Sequence, residues 1–181
     1  MSDILLFSSI AVPGLLMFDH EIRSDYRYFY FVWAQSFFLT LGFTNFTKVL
    51  VGRPRPYLYA NNASDDYKLK KDNRKSFFSG HTSISAVSWF LMASMYEDYK
   101  PGSNVLPYLW TSAFLVPAYT AYCRYDGGKH FLSDVVAGYL VGSAIGVLVP
   151  KCYTNNSNNT VNLSFILQPT GKIKTRLTYE F

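Results

Sequence analysis

The segment CRYDGGKHFLSD gathers Arg124, His130 and Asp134 within residues 123–134, with nearly continuous apolar sequence on both sides. On a helix, His130 and Asp134 lie one turn apart on a single face. A carboxylate that accepts from one imidazole nitrogen fixes the tautomer and leaves the other nitrogen as a base or nucleophile. Arg124 adds a planar, permanently charged fork suited to phosphoryl oxygens. Gly127 and Gly128 let the backbone turn tightly just before the next helix.

Two further clusters precede this one. SFFSGHTS carries Ser79, Gly80 and His81 at the head of the run SISAVSWFLMASM. A helix starting there offers free N–H groups and a positive dipole end, which together bind anions. Gly80 permits close backbone approach, Ser79 supplies a hydroxyl, and His81 can give a proton to a leaving oxygen. KVLVGRPRP sets Lys48 and Arg55 about a turn stiffened by Pro54 and Pro56. Taken singly, these are a capping pair, a helix cap and a loop. Taken together they supply a nucleophile, an acid and positive charge for equatorial oxygens, the needs of phosphoryl transfer. Two histidines and one close carboxylate among fixed cations make a poor divalent-ion site, so no metal is expected.

Positioning these groups falls to five apolar stretches: Ile4–Phe18, Tyr28–Phe46, Ile84–Met95, Leu106–Ala121 and Val135–Val149. Several are shorter than the roughly 20 residues that span a bilayer. They read as an all-α, membrane-embedded bundle of about five helices, with a soluble bundle as the rival. Alternating up and down, the helices bring Gly52–Ser79 and Cys123–His130 to one end, and His20–Arg27 and Tyr96–Asn104 to the other. The first stretch, preceded by Asp3 and no basic residue, reads as an inserted helix rather than a cleaved leader. Residues 1–152 form the helical domain. Residues 153–181 form a polar NNSNN linker and a tail whose partial alternation about Pro169-Thr170-Gly171 suggests a β-hairpin. Cys123 and Cys152 fall at opposite ends of one helix, too far apart to pair.

The composition fits. Aromatics reach 18%, with 15 Tyr and 15 Phe, more than a small soluble domain needs. Seventeen Lys and Arg stand against 12 Asp and Glu, a net charge of +5. Lys48, Arg53, Arg55, Lys68, Lys70, Lys71, Arg74 and Lys75 crowd one region, which implies an anionic partner. No nucleic-acid module is present.

Lys48-x6-Arg55-Pro56, Ser79-Gly80-His81 and Arg124-x5-His130-x3-Asp134 resemble, in order and spacing, the three signature motifs of the type 2 phosphatidic acid phosphatase and vanadium haloperoxidase superfamily. The likeness covers residues 28–149. Phe78 and Cys123 depart from it, standing where the family usually has proline and serine. The resemblance implies that His130 attacks phosphorus to form a phosphohistidine, with Asp134 holding its ring. By the same likeness His81 protonates the leaving alkoxide, while Lys48, Arg55, Ser79, Gly80 and Arg124 hold the phosphoryl oxygens. It implies a cofactor-free membrane phosphatase acting on a lipid phosphate or diphosphate. Its site would be extracytoplasmic, periplasmic in a bacterial inner membrane. A soluble acid phosphatase, a vanadate-dependent haloperoxidase and a lipid phosphotransferase stay open beside it.

Overall fold

The computed structural model describes residues 2–59, 71–154, 161–167 and 173–179. Lys68, Lys70, the linker at 155–160 and the turn at Pro169-Thr170-Gly171 lie outside the described residues. Two compact units emerge, Met1–Pro150 and Lys151–Phe181.

The first unit is helical, as its apolar periodicity requires. Its helices are α1 (Ser2–Ala11), α2 (His20–Ser24), α3 (Tyr26–Val51), α4 (Gly80–Tyr99), α5 (Leu106–Asp126) and α6, which starts at Leu132 and runs to Thr154. A 3-10 segment, Val12–Phe18, extends α1 where Pro13 cannot continue the α-helical ladder. The five apolar stretches fall on α1 with this extension, α3, α4, α5 and α6. Asp19 caps α2 by accepting from the Glu21 and Ile22 amides at 2.9 and 3.4 Å. Gly52 ends α3 in the left-handed region at φ 55°, turning the chain toward Arg53.

Helix α4 is the hub. Fourteen of its residues are buried, and it packs against α1, α3 and α5. A helix packed on several sides has no single apolar stripe, and α4 buries Ser, Thr and Ala together with Ile84, Val87, Phe90, Leu91, Met92 and Met95. Its serines reach the neighbours through hydroxyl contacts: Ser9 with Ser85 at 3.0 Å, Thr44 with Ser83 at 3.2 Å, and Ser85 with Thr120 at 3.4 Å. Such small, hydrogen-bonding residues let helix backbones approach closely without a large apolar core.

Helix α6 lies on α4 by a glycine seam. A Cβ at Gly138, Gly142 or Gly146 would stand 2.6, 2.3 or 2.8 Å from the carbonyl oxygens of Ser79, Ser83 and Val87. Spaced four apart on both helices, these contacts run along one stripe. They bring the start of α6 against the start of α4.

The two ends of the bundle differ. At one end Lys100 bonds Glu21, and Tyr99 donates to Asp25 at 3.2 Å. At the other, the α3–α4 and α5–α6 connections meet: the Tyr57 amide bonds the Gly128 carbonyl at 3.3 Å, and Arg53 donates to Ser133 at 2.7 Å. Large apolar side chains also cover the outside, including Phe38, Phe46, Val49 and Leu50 on α3 and Leu140 and Leu148 on α6. Among the described residues one helix, Leu132–Tyr153, is long and apolar enough to cross a membrane, with mean hydropathy 1.8.

In the second unit, β1 (Val161–Leu167) pairs antiparallel with β2 (Ile173–Tyr179), Val161 opposite Tyr179 and Leu167 opposite Ile173.

Candidate active site

Each site residue is held by a specific local device. Ser79 is the N-cap of α4. Its Oγ accepts from the Thr82 hydroxyl at 2.9 Å and, at 3.5 Å, from the Thr82 amide. That leaves its own hydroxyl proton available to a ligand. The Ser79 amide bonds the Asp134 carbonyl at 3.0 Å, which ties the α4 start to α6. Gly80 lets a cation in: a Cβ there would stand 3.1 Å from Lys48 Nζ and 3.3 Å from Thr44 Cγ2. Lys48 reaches this point from the last turn of α3.

His130 stands in the connection before α6 rather than on the helix, whose first residue is Leu132. Its side chain is buried, and Nδ1 lies 2.8 Å from the Ser76 carbonyl oxygen. A carbonyl only accepts, so Nδ1 carries the proton and the neutral ring keeps its lone pair on Nε2. The tautomer is therefore fixed by the backbone at Ser76. Asp134 Oδ2 stands 3.7 Å from Nδ1, near enough to attract the ring and too far for a hydrogen bond. The expected pairing of Asp134 with the imidazole is thus an ion-pair contact, with the Ser76 carbonyl as the nearer partner of Nδ1. His130 precedes the helix, which lets a backbone group of the α3–α4 connection reach its ring.

Asp134 is also the anchor of the surrounding loops. Its Oδ1 accepts from Arg53 at 2.7 Å, and its Oδ2 accepts from the Ser76 hydroxyl and from the Phe131 amide at 3.0 Å. Arg53 also stacks over the Phe131 ring at 4.1 Å. The aspartate thus fastens the α3–α4 connection, through Arg53 and Ser76, to the segment that carries His130. Arg53 and Ser76 fall within KVLVGRPRP and SFFSGHTS but were not among the candidates, since no spacing links either of them to Asp134.

The cations converge. Arg124, in the last turn of α5, is buried and within electrostatic reach of Arg55, and both act on His130. Lys48 feels Arg55, Arg124 and Lys75. The Nε atoms of Arg55 and Arg124 are buried with no hydrogen-bond partner among the described residues. Burial, reinforced by the two arginines, pushes the His130 imidazole below its ordinary value, against the opposing pull of Asp134 and the Ser76 carbonyl. This shift favours the neutral ring, with its lone pair on Nε2.

His81, in the first turn of α4, meets a residue the sequence reading did not single out. Its Nε2 lies 2.9 Å from Asp3 Oδ1. That same oxygen is 3.7 Å from an Arg124 nitrogen, which also donates to the Ser2 hydroxyl at 3.1 Å. No spacing rule links residues 3 and 81, so only the fold reveals this contact.

All eight sequence candidates, Lys48, Arg55, Ser79, Gly80, His81, Arg124, His130 and Asp134, therefore belong to one end of the helical unit. A neutral imidazole with a free lone pair, a second imidazole and unspent guanidinium donors form an arrangement that can grip and attack a tetrahedral anion.

Comparison with known proteins gives the same direction. Residues 29–158 match the model of the PAP2 superfamily. The PA-phosphatase related-family protein of Dictyostelium discoideum is 30% identical over 156 residues, 81% of this chain and 58% of that protein. Phospholipid phosphatase 1 of Rattus norvegicus is 29% identical over 129 residues, 59% of this chain and 45% of that protein. The Mus musculus phospholipid phosphatase 1 is 30% identical over the same length, with the same coverage. The chain thus spans about half the length of the curated relatives it matches. No solved structure matches it significantly.

Proposed function

This chain belongs to the PAP2 superfamily, and on that premise we propose that it is an integral-membrane phosphatase that hydrolyses a lipid phosphate or diphosphate through a phosphohistidine on His130, without a metal. The observation that carries the reading is the His130 tautomer: Nδ1 is committed to the Ser76 carbonyl, and Nε2 keeps the lone pair on a ring that feels Arg124 and Arg55.

In the first step the Nε2 lone pair attacks phosphorus and the P–O bond to the lipid breaks. The departing alkoxide takes a proton from His81. Burial and Arg124 hold the pKa of that imidazole down to about 4 in the free protein, and the negative charge of a bound phosphate raises it. Lys48, Arg55, Arg124, the Ser79 hydroxyl and the first-turn amides at Gly80 neutralise the charge on the phosphoryl oxygens. Water, giving a proton back to His81, then attacks the phosphohistidine, releases inorganic phosphate and restores Nε2. Asp134 acts from behind by keeping the His130 segment in place, with electrostatic support to the imidazolium-like transition state.

Two features favour a lipid as substrate. Apolar side chains clothe the outside of the helices. A cavity of about 320 Å³, walled almost wholly by carbon, lies between α5 and α6, lined among others by Ala118, Ala121, Tyr125 and Leu132. Tyr125 and Leu132 place the slot at the same end of α5 and α6 as Arg124 and His130. A single hydrocarbon chain fits a space of that size. The family likeness favours an extracytoplasmic site, periplasmic if the source is bacterial.

Phosphate release from a panel of lipid phosphates in detergent, with and without EDTA, tests the proposal. Chelator-resistant turnover that vanishes in His130→Ala supports it. Chelator-sensitive turnover, or full activity in His130→Ala, refutes it.

A further inference from the structure

Asp3 and Ser2 lie outside the residues matched by the family model, which begins at 29. Yet α1 carries both into the site. One carboxylate oxygen, Asp3 Oδ1, meets His81 Nε2 at 2.9 Å and an Arg124 guanidinium nitrogen at 3.7 Å. The Ser2 hydroxyl accepts from the same nitrogen at 3.1 Å. Lys129 adds a further attraction to the Asp3 charge. An oxygen anion between the proposed leaving-group acid and a phosphate-gripping arginine stands where a substrate oxygen belongs.

We infer that Asp3 is a built-in occupant of the oxyanion subsite formed by His81 and Arg124, and that a substrate phosphate binds by displacing its carboxylate. The inference rests on the roles proposed above for those two residues. Two anions cannot share one arginine and one imidazole at these distances without strong mutual repulsion, so the two compete. The asymmetry of exposure favours exchange. The Arg124 side chain is 5% exposed and fixed, whereas Asp3 is 63% exposed and reaches in from the open side. An exposed carboxylate is readily rehydrated when it leaves, and a phosphoryl group carries more charge and more acceptor oxygens than it does. Asp3 therefore weakens retention of inorganic phosphate, the product, as well as entry of substrate. It also discriminates against anions too weak to displace it.

The test uses the full chain in detergent and compares wild type with Asp3→Asn, which keeps shape and removes charge, and Asp3→Ala, which removes the group. Equilibrium binding of inorganic phosphate and of vanadate is read first, then KM and kcat on a short-chain phosphate monoester. Loss of a competing charge-assisted contact, discounted for the exposure of Asp3, predicts that both anions bind roughly tenfold more tightly in the variants. KM falls by a similar factor, so kcat/KM rises. Unchanged or weaker anion binding in both variants overturns the inference. A fall in kcat at constant KM also overturns it, because Asp3 would then be positioning His81 for proton transfer. Circular dichroism and size-exclusion profiles matching wild type establish that the variants fold, and the alanine variant stands in if the asparagine one does not. A wild type with no turnover on any phosphoester sinks the phosphatase reading instead, while the binding comparison still decides the place of Asp3.

Discussion

Replacing Gly142 by alanine tests how the two catalytic ends are held together. The new Cβ would stand 2.3 Å from the Ser83 carbonyl oxygen, 2.8 Å from Ala86 Cβ and 3.0 Å from the Ser83 carbonyl carbon. Ordinary contact begins about 1 Å farther out, and the nearest obstacle is backbone, which cannot rotate away. Helices α6 and α4 must therefore separate by about 1 Å along their seam. Overpacking of this kind costs about 1–3 kcal/mol, offset in part by the roughly 1 kcal/mol that alanine gains over glycine within a helix. Gly42→Ala supplies the control, since nothing lies within 4 Å of a Cβ at that position of α3. Its helix propensity gain is the same, so the difference between the two variants isolates the steric part, about 1–3 kcal/mol. Because α6 follows directly on His130 and α4 starts at Ser79, a 1 Å separation also misplaces the nucleophile, at a cost on the order of 100-fold in kcat. Thermal unfolding in detergent and lipid-phosphate turnover are measured on both variants. Gly142→Ala as stable and as active as Gly42→Ala would show that the seam does not position the site.

Arg53→Ala leaves the fully buried Asp134 carboxylate without its 2.7 Å partner. Breaking a buried pair costs about 3–5 kcal/mol, and the partial exposure of Arg53 brings this to about 1–3 kcal/mol, read as a lowered unfolding temperature together with lost turnover. The acid limb of kcat/KM titrates below the ordinary histidine value of about 6.5, because burial and the neighbouring arginines disfavour the His130 imidazolium. A midpoint above that value in a full pH–rate profile contradicts the tautomer and burial assigned to His130. The same depression has a stability consequence. Below about pH 6.5 the unfolded chain binds a proton that folded His130 refuses, so stability falls as pH drops through that range, measurable by denaturant titration at several pH values. Filling the apolar slot with Ala121→Phe raises KM for a long-chain lipid phosphate by tenfold or more and spares a short-chain ester. Equal loss on both substrates places the chain elsewhere.

Much of the site was legible because its chemistry is carried by side chains of distinctive type at short spacing. Ser79 reads as a cap and is one. Lys48 reads as a helix-end cation and reaches Gly80. Helix alternation alone brings the α3–α4 and α5–α6 connections to the same end. What stayed hidden depends on contacts between distant segments. The Ser76 carbonyl is a backbone group with no sequence signature, and its bond to His130 joins residues 54 apart. Arg53 sits beside Arg55 in a basic run, where nothing in the spacing says which arginine faces Asp134. Asp3 immediately precedes an apolar stretch that reads as an inserted helix. The glycine seam was readable in principle, since Gly138, Gly142 and Gly146 recur every fourth residue, the pattern that lets two helix backbones touch. The departure of His130 from the helix was not, because helix starts are set by local capping that DGGKHFLSD does not spell out.

The covalent intermediate is the most direct test of the account. Wild-type protein and His130→Ala are incubated with a lipid phosphate labelled on phosphorus, quenched rapidly, and digested for peptide mapping. A phosphohistidine mechanism predicts an acid-labile, base-stable label on the peptide that contains His130, formed with EDTA present and absent from the variant. Rapid turnover of the wild type with no trapped label, or a label on His81 or on any carboxylate, would contradict it.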